Sequence, residues 1–176
     1  MSRSLPVALA VALALGLSGC ATLRGVVSPP PAGKPSGKAG WLIYEVDALR
    51  FEAPEAWSTR GDAKHLRLEA PDGGARLEVS SPGDALVDEK ACLAAAEQAM
   101  DRASSLQRVR RHPTTFAGAR GFAVEGDTGG WHVWAWAACD GGRQYQVFFT
   151  ARTPAPPAVL EVQRALATGA RIGGES

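Results

Sequence analysis

Trp131-His132-Val133-Trp134-Ala135-Trp136-Ala137-Ala138-Cys139 decides the fold of this chain. Side chains alternate across a strand, so Trp131, Val133, Ala135, Ala137 and Cys139 fall on one face and His132, Trp134 and Trp136 on the other. Both faces are too apolar for open water, which places this strand inside a sheet and under cover on both sides. Its neighbours carry the same period: Val109 to Phe116, Arg120 to Gly126 and Arg143 to Thr150. Gly118, Asp127-Thr128-Gly129-Gly130 and Asp140-Gly141-Gly142 separate these runs with residues that suit tight turns, so the region reads as a four-strand antiparallel meander.

Working back from the meander, the spacing predicts a helix over Ala91 to Ala103. Asp88 is placed to cap its free amides, and Cys92, Ala96, Ala99, Met100 and Ala103 form a narrow apolar face of mostly small residues. Such a face permits close approach to a sheet, and it carries Cys92. Before it, Leu66 and Leu68 alternate with His65, Arg67 and Glu69. Pro71-Asp72-Gly73-Gly74 turns the chain, and Leu77 and Val79 return it as a hairpin with one solvent-facing side. Earlier still, Leu42, Tyr44 and Val46, then Leu49, Phe51 and Ala53, mark two strands, the second ended by Pro54. After the meander, Pro154 to Pro157 opens a last helix buried through Val159, Val162 and Leu166, with Gly169 as its C-cap and Ala170-Arg171-Ile172 as a short edge strand. The fold class expected is α+β: a central antiparallel sheet of six to seven strands flanked by two helices.

The N-terminus has a different character. Arg3 followed by the apolar run Leu5 to Leu15 has the form of a signal peptide, and about 11 apolar residues are too few to span a bilayer. Leu17-Ser18-Gly19-Cys20 resembles the lipobox of bacterial lipoproteins. That resemblance implies cleavage before Cys20, a diacylglycerol on its sulfur and an acylated amine, which together anchor a domain without a transmembrane helix. Ala21 in place of Asp after the cysteine implies, in Gram-negative members, passage to the outer membrane with the domain facing the periplasm. The divisions expected are residues 1–19 as signal peptide, 20–40 as the lipidated cysteine and a Pro/Gly-rich tether, 41–172 as one domain and 173–176 as a flexible tail.

Removal of residues 1–19 takes Arg3 from the 19 basic residues and none from the 18 acidic ones, so the mature chain is neutral. Neutrality gives no support to nucleic acid as a partner. With Cys20 assigned to lipid, Cys92 and Cys139 remain as a pair, and export favours a disulfide over two separate buried thiols. Neither cysteine lies in a C-x-x-C pair, and cysteine and histidine spacing gives no zinc motif, so no metal or cofactor is expected.

Catalytic patterns are absent from the sequence: His65, His112 and His132 lie on separate strands, with no Gly-x-Ser-x-Gly and no His-Glu-x-x-His. His132, Trp134 and Trp136 form the one grouping able to line a ligand site, against the alternative that an aromatic strand stripe is simply core.

Phe51-Glu52-Ala53-Pro54-Glu55-Ala56-Trp57 and the order of elements resemble the PsbP-like sandwich, a fold shared by a photosystem extrinsic subunit, a Ran-binding protein and many bacterial lipoproteins. The resemblance covers Trp41 to Ile172, carries no catalytic residues across and implies a docking or assembly module. The function expected is therefore a lipid-anchored, non-catalytic binding or scaffolding module of the cell envelope whose partner is another envelope protein or a small ligand. The alternatives are a carrier of a small apolar ligand between sheet and helix, and a hydrolase whose triad is scattered through the sequence.

Overall fold

The computed structural model describes residues 30–101 and 106–173, so the stretch read as a signal peptide, Cys20 and most of the expected tail lie outside the described residues. Among the described residues, eleven strands and two helices follow in the order β1 (Lys34–Pro35), β2 (Trp41–Val46), β3 (Leu49–Pro54), β4 (Ser58–Gly61), β5 (His65–Glu69), β6 (Ala75–Ser80), α1 (Glu89–Asp101), β7 (Gln107–Phe116), β8 (Ala119–Thr128), β9 (Trp131–Asp140), β10 (Arg143–Arg152), α2 (Pro157–Gly169) and β11 (Arg171–Ile172). They make a seven-stranded sheet ordered β4-β5-β6-β10-β9-β8-β7 and a four-stranded sheet ordered β1-β2-β3-β11, antiparallel throughout. The α+β class expected from the sequence is the class observed, and the four-stranded layer is the addition.

β9 occupies the inside of the large sheet, paired with β8 on one side and β10 on the other. Its face bearing Ala135, Ala137 and Cys139 packs under Cys92, Ala96 and Met100 of α1. The disulfide joins Cys92 to Cys139 with the Cα atoms 5.9 Å apart, so the small-residue face of the helix sits where close approach is needed. Asp88 caps α1 as its position implies, its Oδ1 accepting from the Ala91 amide at 2.7 Å.

The opposite face of the sheet, with the four-stranded sheet and α2, encloses the main core. Tyr44 stacks on Phe51, Trp57 on Phe149 and Phe116 on Trp136, with ring centroids 5.8, 6.2 and 5.3 Å apart. Leu66, Leu68, Leu77, Val79, Val162 and Leu166 complete this layer at near-zero exposure. The polar side of the β5–β6 hairpin stays in solvent and carries a charge ladder, Arg67 to Glu69 at 3.3 Å and Arg76 to Glu69 at 3.9 Å.

Two local readings change, and one strand is added. Lys34–Pro35 pairs with Leu42 and Ile43, and Lys38 Nζ lies 3.4 Å from the Trp41 ring centroid and 2.5 Å from Glu161 Oε1. The domain therefore takes in part of the stretch read as tether. Ser58–Gly61 is a strand, held by backbone pairing to β5 without an apolar alternation of its own. Gly169 remains inside α2, and the cap is Ala170 in extended backbone, because the chain passes straight into β11 against β3.

Candidate functional site

The β8–β9 hairpin builds the most distinctive polar cluster. Gly129 (φ 53°) and Gly130 (φ 83°) supply the positive φ that a two-residue hairpin turn demands. That turn sets Thr128 opposite Trp131 and Asp127 opposite His132, with Glu125 opposite Trp134. Asp127 and Glu125 thus flank the imidazole from the neighbouring strand: Nδ1 lies 2.6 Å from Asp127 Oδ1, and Nε2 lies 3.1 Å from Glu125 Oε1. The ring is held from beneath by Trp134, whose ring centroid is 4.2 Å away, and Trp134 in turn leans on Phe149 at 5.6 Å.

The three sequence-selected residues therefore part company. His132 and Trp134 come together in a half-exposed patch, whereas Trp136, two residues further along the same face, is 8% exposed and closed into the core against Phe116. Cys92 and Cys139 are bonded on the opposite face, under α1. Glu125 and Asp127 were not selected from the sequence. The short Gly-Gly turn was the signal that could have found them, because it fixes the register.

Chemically, the cluster is an imidazole bonded through both ring nitrogens to two carboxylates, with side-chain exposures of 23% for His132, 36% for Glu125 and 37% for Asp127. Both ring nitrogens are engaged, which fixes the orientation of the imidazole. Beside it, on the other face of the same hairpin end, Arg152 lies 5.5 Å from the Trp131 ring centroid. His65 and His112 stand apart from this patch, on the exposed start of β5 and on the exposed edge strand β7. His65 faces Ser80 across the ladder, on the open, charge-laddered side of the hairpin. Among the described residues no group of three or more histidine, cysteine or acidic side chains is arranged to hold a metal.

A groove of about 600 Å³ opens between Leu93 of α1 and Pro113, Arg120 and Phe122 of the outer strands. Arg120 on its wall is paired with Glu89 at 3.5 Å. Between sheet and helix, the location of the carrier alternative, Cys92, Ala96 and Met100 of α1 are fully buried against Ala135 and Ala137, and Val162 and Leu166 of α2 are at 1% exposure in the main core.

No family model and no curated protein matches the chain. Solved structures do. The solution structure of cyanobacterial PsbP (CyanoP) from Synechocystis superposes with a TM-score of 0.50 at 13% identity, covering 80% of this chain and 98% of that one. A Bacteroides thetaiotaomicron protein follows with a TM-score of 0.45 at 11% identity, over 77% of this chain and 49% of its own. A Pseudomonas aeruginosa protein of unknown function gives 0.44 at 15% identity, over 77% and 99%. The fold is PsbP-like.

Proposed function

We propose that this chain is a lipid-anchored, non-catalytic binding module of the cell envelope, tethered through Cys20 and engaging its partner with the β8–β9 hairpin end. The observation that carries the binding surface is the Glu125–His132–Asp127 bracket backed by Trp134. With both ring nitrogens bonded, the imidazole, the carboxylates and the indole are held in place for recognition at little ordering cost. The disulfide accords with an oxidising compartment, and the PsbP-like fold accords with a docking role.

A photo-reactive benzoylphenylalanine at Thr128, beside the bracket, tests this in cells, with a second at the exposed Arg60 of β4 as reference. The reading expects a discrete cross-linked species from position 128 that disappears when His132→Ala is added to a protein whose melting remains cooperative. Identical species from both positions, or none from position 128, would overturn it.

A further inference from the structure

The end of the domain at which the tether arrives carries a second, apolar feature. Pro31 and Ala32 line one groove with Asp47 and Ala63, which belong to the β2–β3 and β4–β5 turns. Asp47 bonds Arg143 and Ser81, each at 3.0 Å, which draws the β9–β10 turn and the β6–α1 loop to the same end. The Leu86 amide donates to the Gly142 carbonyl at 2.8 Å, pinning that loop there. Leu86 and Val87 nevertheless point into solvent, at 40% and 98% exposure. The bracket around His132 lies at the opposite end, since β8 and β9 run the length of the sheet between them.

Only ten peptide steps separate Cys20 from Pro30, so the domain end at residue 30 lies within about 36 Å of a lipidated cysteine even at full extension. On the anchor reading proposed above, on which this inference rests, the turn-rich end faces the bilayer. We infer that Leu86 and Val87 enter the headgroup region of that bilayer as a second, non-covalent contact and hold the His132 end outward. Apolar side chains gain from leaving water at the acyl boundary, and an exposed valine beside the anchor has that boundary within reach. Asp84 and Asp88 flank the pair, so the surface that fits is zwitterionic: anionic lipid would repel them.

The test uses the full lipidated chain floated on phosphatidylethanolamine–phosphatidylcholine vesicles, with an environment-sensitive nitrobenzoxadiazole dye on Val87→Cys or, at the far end, on Thr128→Cys. Headgroup-level nitroxide lipids are expected to quench the dye at position 87 at least about threefold more than at position 128, given insertion by the 5–10 Å typical of interfacial contacts. Co-flotation with equal quenching at both positions overturns the loop contact alone. Failure of the unlabelled chain to float overturns the anchor and this inference together.

Discussion

Cutting the Cys92–Cys139 bridge should cost this domain a large share of its stability. The two residues are 47 apart in sequence, and closing a loop of that length restricts the unfolded chain by about 4 kcal/mol in the chain-entropy picture. Little else of comparable size holds α1: its buried side chains are Cys92, Ala96 and Met100, two of them small. Against the usual total of about 5–15 kcal/mol for a domain, that loss is severe. Guanidinium unfolding followed by tryptophan fluorescence should be compared for the oxidised protein, the protein in reductant and the Cys92→Ala/Cys139→Ala variant. The reduced form should be about 4 kcal/mol less stable, the alanine variant at least as much so because the lost sulfurs leave a void, and amide exchange in α1 should accelerate before that in β9. All three forms unfolding within about 0.5 kcal/mol of one another would refute the reasoning, since additivity errors reach only that size.

Further outcomes follow from single side chains. Asp88→Ala should lower stability by about 1 kcal/mol, measured by urea titration, because the Ala91 amide loses its acceptor, while Asp88→Asn should retain most of it. Trp136→Ala should cost about 3–5 kcal/mol by emptying the contact with Phe116. Burial, then the Asp47 carboxylate, raises the Tyr145 phenol above its ordinary value. A raised folded value means that this contribution is complete below about pH 10 and is lost as pH climbs through the folded value, so Tyr145→Phe should flatten the alkaline limb of a stability–pH curve.

The elements legible from sequence were those that bury a face. β5 and β6 declared themselves through Leu66, Leu68, Leu77 and Val79, and β9 through aromatic and small residues on both sides. β4 was illegible because Ser58 and Arg60 point outward and its pairing is purely backbone. β1 was hidden in a Pro/Gly-rich tract for the same reason, though Lys38 docks that stretch by covering Trp41. The site was legible by halves. Alternation put His132, Trp134 and Trp136 on one face, but which of them a second layer would cover depends on where α2 and the four-stranded sheet land, and no periodicity encodes that. Glu125 and Asp127 belong to His132 through cross-strand register alone, which the two-residue turn sets and composition does not.

Compartment, orientation and partner all depend on the fate of Cys20, and the mass of the N-terminal peptide from membrane-purified protein measures it directly. The account predicts a peptide beginning at Cys20 and carrying a diacylglycerol with an acylated amine. A peptide retaining Met1 to Gly19, or an unmodified Cys20, would contradict it.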